Sequence, residues 1–162
     1  MIVVADTAPL NYLVLIGQPA ILPELYGRVI IPEAVALELR HPSTPPRVRS
    51  WIAKPPAWLE IQKVRRQKAD AALDILDEGE REAILLALEL HAQLILIDEK
   101  AGRREATHRH LQVAGTLAVL EQAAERGLLD FSKALDRLQK TNFRLSPTVL
   151  EFFRARNPKR KS

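Results

Sequence analysis

The chain has 162 residues, no cysteine and a formal net charge of +4. That length fits one domain with a self-sufficient core, and the missing cysteine excludes disulfide scaffolds and thiolate metal sites, with a reducing cytoplasm as the expected setting. The charge is unevenly placed: residues 154–162 (RARNPKRKS) carry five basic side chains and no acid, and without them the chain holds 19 basic against 20 acidic groups. A domain over 1–153 followed by a disordered basic tail over 154–162 is the expected organisation. The first apolar stretch, from Ile2 to Ile16, is broken by Asp6, Pro9 and Asn11 and has no basic leader, so neither a signal peptide nor a membrane span is expected.

In chain order, Ile2-Val3-Val4-Ala5 is apolar and β-branched, as a strand buried on both faces should be. Thr7 is placed to cap a helix, Pro9 falls in its first turn, and Leu10, Leu13, Val14 and Ile16 carry its apolar stripe to Gly17. A helix is predicted from Pro19 to Tyr26-Gly27, a strand at 29–31, and a helix from Pro32 through Leu39. Residues 41–58 are rich in proline and read as a loop enclosing one short helix, with a brief strand at 59–61 after it. Residues 65–70 open a predicted helix that stops near Asp77-Glu78-Gly79, where the glycine after Leu76 serves as a C-terminal signal. Glu80 to His91 is an apolar helix and 94–97 a buried strand ending in Asp98; helix 100–109, strand 111–113 and helix 116–126 follow. The remainder is helical, with Ser146 capping a segment that opens at Pro147. Strands separated by helix-length segments define an α/β fold built of right-handed βαβ units on a parallel sheet.

Ligands bind open parallel sheets beyond the carboxyl ends of the strands. Asp6 after IVVA and Asp98 after LILI stand there, each equally readable alone as a helix cap. Glu38, between Leu37 and Leu39, reads as a solvated helix face or an acid turned to a cleft. Between Asp74 and Glu82 lie five acids and one arginine, a repulsive run that a helix N-terminus explains in part. Several carboxylates without cysteine or a histidine pair make a hard oxygen donor set suited to Mg²⁺ or Mn²⁺. His108-Arg109-His110 reads as surface.

Taken in order, Asp6 in VVADTAPLNYL, Glu38 in IPEAVALEL, Gly79-Glu80 in LDEGEREAILLA and Asp98 in LILIDEKAGRREA resemble the PIN-domain nucleases. The branch they resemble is the small prokaryotic one typified by the toxin ribonucleases of toxin–antitoxin pairs. The similarity runs over residues 1–150. It implies a three-layer α/β/α domain around a central parallel sheet, Mg²⁺ or Mn²⁺ dependence and hydrolysis of single-stranded RNA. It also implies a homodimer and a cognate antitoxin that blocks the site. By motif, Asp6, Glu38, Glu80 and Asp98 would be the catalytic metal ligands, with Thr7 supporting Asp6 through its hydroxyl. GERE offers Glu82 as an alternate to Glu80; Glu80 shares a stripe with Ile84, Ala87 and Leu88 and is preferred. Where relatives carry Thr/Ser-x-Asp this chain has Ile97-Asp98-Glu99, which makes Glu99 a second alternate. Arg103 and Arg104, just beyond, are candidates for substrate phosphate. Two rivals remain: a haloacid-dehalogenase-like phosphatase, which would want an acid where Ala8 stands, and a non-catalytic PIN-like module binding RNA or a protein.

Overall fold

The computed structural model describes residues 1–65 and 70–158. Its centre is a five-stranded, all-parallel sheet in the order β3-β2-β1-β4-β5, formed by β1 (Val3–Ala5), β2 (Val29–Pro32), β3 (Leu59–Gln62), β4 (Leu94–Leu96) and β5 (Val113–Ala114). Side chains alternate across such strands, and the sequence exploits both faces. Val3, Ala5, Val29, Ile31 and Leu96 enter one apolar cluster, whereas Val4, Ile30, Ile95 and Ile97 enter the other. This two-sided burial is why the central strands read as continuous apolar runs.

Helices close both faces and make three layers. The first cluster takes α1 (Thr7–Leu15), α2 (Ile21–Tyr26), α3 (Glu33–Leu39), α4 (Pro46–Ala53), α7 (Thr116–Glu125) and α8 (Phe131–Gln139). The second takes α5 (Glu78–Glu89) and α6 (Lys100–His108). The last helix, α9 (Pro147–Arg156), buries no residue fully. It rests Phe153 on Phe131, pairs Arg156 with Glu121 at 3.0 Å, and is capped by Ser146, whose Oγ accepts from the Val149 N–H. Helix α9 therefore carries residues 154–156 into the segment expected to be a tail; residues 159–162 lie outside the described ones.

Three local expectations are corrected. The helix predicted from 65–70 to Asp77 falls partly on residues 66–69, outside the described ones, and beyond them the chain makes only a 3-10 turn at Ala71–Leu73. Leu73 and Leu76, three apart, are both buried, which one tight turn achieves without a full helix. Gly79 does not end a helix but sits in the first turn of α5, because Asp77 caps that turn by accepting from the Glu80 N–H at 2.8 Å. Likewise Asp6, not Thr7, holds the position before α1, although its side chain makes no capping hydrogen bond.

The order of the sheet locates the crevice. From β1 the chain moves outward through β2 to β3, then returns to the opposite side of β1 to lay down β4 and β5. The direction reverses between β1 and β4, which pair Val3 with Leu94 and Ala5 with Leu96. Asp6 and Asp98 leave the carboxyl ends of these two neighbouring strands, on either side of the switch point.

Candidate active site

Asp6 is 4% exposed and continues the ladder by donating its N–H to the Leu96 carbonyl at 2.8 Å. Its Oδ1 is buried without a hydrogen-bond partner among the described residues. Burial pushes its carboxyl up to about 7; the Thr7 N–H opposes this, and the charges of Asp77, Glu38 and Asp98 add to it. Those acids therefore surround Asp6 at electrostatic range.

Each neighbour has its own support. Glu38, on the exposed side of α3, accepts a 2.7 Å hydrogen bond from the Thr7 hydroxyl. Thr7 thus braces the second acid of the set rather than Asp6, as the resemblance implied, because the first turn of α1 faces α3. Partial desolvation raises the Glu38 carboxyl, Thr7 lowers it and Asp77 raises it again. Asp98 uses both oxygens on Thr116, accepting from its N–H and its hydroxyl at 2.7 Å each, which pins the acid to the start of α7. Its carboxyl is raised by burial, lowered by Thr116 and by nearby Arg103, and raised by Glu99.

Glu80 is 7% exposed. Burial holds its carboxyl well above the ordinary range, reinforced by Asp77, Asp6 and Glu99. Glu82, two residues on, faces elsewhere: it accepts from the Ala34 N–H at 3.4 Å and shares its surroundings with Glu78 and Glu33. The structure thus brings Asp6, Glu38, Glu80 and Asp98 together, with Glu99 at the margin, and leaves Glu82 at the start of α3. Arg103 reaches the Asp98 side, whereas Arg104 is exposed on α6 and makes no ion pair among the described residues. Arg109, read as surface, is half-buried between Asp70 and Glu105.

Sequence reading missed Asp77, whose charge acts on Asp6, Glu38 and Glu80 while its side chain caps α5. An aspartate one residue before a Glu-Gly-Glu helix start was the available signal. It also missed three glycines on which the acids converge. A Cβ on Gly79 would stand 2.6 Å from Glu38 Oε2 and 3.4 Å from Asp6 Oδ1; one on Gly102 would stand 2.5 Å from Ile97 Cδ1 and 3.1 Å from Glu80 Oε2; one on Gly115 would stand 2.8 Å from Asp98 Oδ1. The carboxylates occupy space that any larger residue would fill. Gly79→Ala is expected to keep the fold, since alanine favours a helix by about 1 kcal/mol and the Glu38 carboxyl can swing away. That swing breaks the Thr7 bond, so any catalytic activity of this site should drop at least tenfold while the melting temperature holds; parallel activity and melting measurements check this.

The chain is thus a three-layer α/β/α domain with carboxylates gathered at the switch point of its parallel sheet. The profile of the PIN domain family matches residues 2–157, and the chain belongs to that family. The PIN domain is a nuclease fold, so the chain is built on a hydrolase scaffold. No curated protein and no solved structure matches the chain. Among the described residues no helix is long and apolar enough to cross a membrane.

Among the described residues no group of three or more His, Cys, Asp or Glu side chains is arranged to hold a metal ion. The donor set nevertheless fits a hard divalent cation: it is made of carboxylate oxygens, and Asp6 Oδ1 is buried with its lone pairs unused. Carboxylates this close cannot all stay ionised without an opposing charge, and the raised pKa values express that cost.

Proposed function

We propose that the protein is a Mg²⁺- or Mn²⁺-dependent endoribonuclease that hydrolyses phosphodiester bonds of single-stranded RNA. The observation that carries this reading is the unpartnered, buried Asp6 Oδ1 at the β1–β4 switch point, ringed by Glu38, Asp77, Glu80 and Asp98. Asp6, Glu38, Glu80 and Asp98 would hold the cation, with Glu99 beside them. The ion supplies charge neutralisation at the phosphoryl oxygens and a lowered pKa for water. The chain supplies position: Thr7 aims Glu38, Thr116 aims Asp98, and Gly79 and Gly102 leave room for Glu38 and Glu80. In the reaction, water adds to phosphorus as the bond to the leaving oxygen breaks, and its proton ends on that oxygen. Arg103, whose charge acts on Asp98, would meet a substrate phosphate.

The same reading makes the chain the toxin of a toxin–antitoxin pair, acting as a cytoplasmic homodimer. Its support is the resemblance of the VVADTAPLNYL, LDEGEREAILLA and LILIDEKAGRREA segments to that branch. A second reading, a non-catalytic PIN module, draws on the lack, among the described residues, of any group of three His, Cys, Asp or Glu arranged to hold a metal ion. One assay tests both: incubation of the purified protein with single- and double-stranded RNA in Mn²⁺, Mg²⁺ or EDTA. Internal cleavage of the single strand with either ion, abolished by EDTA, is the expected result. Cleavage that survives chelation overturns the metal assignment, and binding without cleavage in every condition favours the module.

A further inference from the structure

A groove of about 790 Å³ lies at the far end of α1 from Asp6, between Leu15–Gly17, the start of α4 and the end of α8. It is lined by Arg47, Arg137 and Lys140, and by no acidic side chain. These cations come from two helices far apart in sequence, and none is in an ion pair among the described residues. Arg47 is partly held by the Leu15 carbonyl at 3.3 Å, which fixes its guanidinium against the groove wall beside Gly17.

The groove meets the Tyr12 hydroxyl through one residue. Asn142 lines it and also accepts a 3.0 Å hydrogen bond from the Tyr12 hydroxyl. Tyr12 meets Phe143 edge to face, with ring centroids 4.8 Å apart, and its hydroxyl lies in the field of Asp98 and Glu99, opposed by Arg144. Cations thus run from Arg144 near Tyr12, past the Tyr12–Phe143 pair, to Lys140, Arg137 and Arg47. Helix α1 rises about 13 Å over its length, a span that a few nucleotides cover. An acidic site repels the backbone it must cut, and a neighbouring cationic track offsets that repulsion.

We propose that this groove binds the phosphate backbone of the single-stranded RNA flanking the cleaved bond, with the Tyr12–Phe143 pair as the bridge to the acids. The partly buried rings suit an unstacked base, which favours a single strand over a duplex. The proposal rests on the ribonuclease reading and adds to it where the strand lies.

The test is a charge reversal, Arg137→Glu with Lys140→Glu, in the full chain. Lys133→Glu, exposed at the other end of α8 and outside the groove, is the control. Binding of a fluorescent single-stranded oligoribonucleotide is measured in EDTA over a salt series. The double variant should bind at least tenfold more weakly, and the slope of log affinity against log salt should shrink by about 1.4, at about 0.7 per lost phosphate contact on a single strand. With Mn²⁺ its KM should rise while kcat holds, and Lys133→Glu should stay near the parent in all three. Should the double variant melt early, Arg47→Ala with unchanged melting takes its place and should lower affinity in the same direction. A parent that cleaves RNA alongside a double variant that binds and cleaves equally well overturns the groove and leaves the nuclease standing. A parent that cleaves RNA only with Mn²⁺ and loses affinity in the double variant supports both. A parent that neither binds nor cleaves RNA overturns both, and an acidic protein segment becomes the occupant to seek.

Discussion

Replacing Asp6 with asparagine is expected to abolish cleavage and stabilise the fold at the same time. Asn keeps the shape of Asp but carries no charge to bind a cation, so activity with Mn²⁺ should fall at least about 100-fold, the upper end of what losing a mere supporting residue of a metal site costs. The stabilisation follows from burial. Asp6 is 4% exposed, and its carboxyl is pushed up to about 7 by burial and by acidic neighbours, so above that pH the folded chain carries an ill-solvated charge that Asn removes. The capping role that a strand-end aspartate would ordinarily play is not lost, because the Asp6 side chain makes no capping hydrogen bond to α1. A higher melting temperature at pH 8 together with lost cleavage is therefore the signature of a functional acid. Lower stability with retained cleavage would show that Asp6 is a structural cap and that the site has been misplaced.

The second large effect is on pH. Asp6, Glu38, Glu80 and Asp98 all titrate above their ordinary values in the folded chain, chiefly through desolvation. Between the ordinary values, 3.8 for Asp and 4.5 for Glu, and the raised ones, the folded state binds more protons than the unfolded state. Stability then falls as pH rises, fully present below the ordinary values and lost through the folded value of about 7 for Asp6 and above it for Glu80. Asp6 alone sets an upper limit of about 4 kcal/mol, on the order of 10 °C in melting temperature for a chain of this size. In chelator, melting should decline from pH 5 to pH 8, with a flatter profile in Asp6→Asn. Adding Mn²⁺ at pH 8 should restore much of the loss, because an ion that binds only the folded state stabilises it by mass action. A flat profile in chelator would mean that the carboxylates are better solvated than their burial indicates.

Much of this was legible in the residues. The apolar runs at 2–5, 29–31 and 94–97 fell on central strands because two-sided burial leaves no polar position to interrupt them. The matching segments of β1, β2 and β4 need no tertiary information to be recognised. Residues 71–77 were misjudged for the opposite reason: two buried leucines three apart satisfy both a helix and a 3-10 turn, and only the packing against α5 and β4 decides between them. The preference for Glu80 over Glu82 rested on helical stripe alone; in the structure Glu80 is buried, while Glu82 accepts from the Ala34 N–H at the start of α3.

By itself the sequence determined an α/β fold and an acid directly after each of two apolar strands. Strand composition and local spacing carry those facts, and both are short-range. Only the tertiary structure decided that β1 and β4 are neighbours at the reversal of the sheet, which turns two separate acids into one site. It also decided that Thr7 serves Glu38, that Asp77 joins the cluster, and that Gly79, Gly102 and Gly115 are the places where backbone gives way to carboxylate. Those contacts join residues tens of positions apart, and chain topology, not local pattern, brings them within reach.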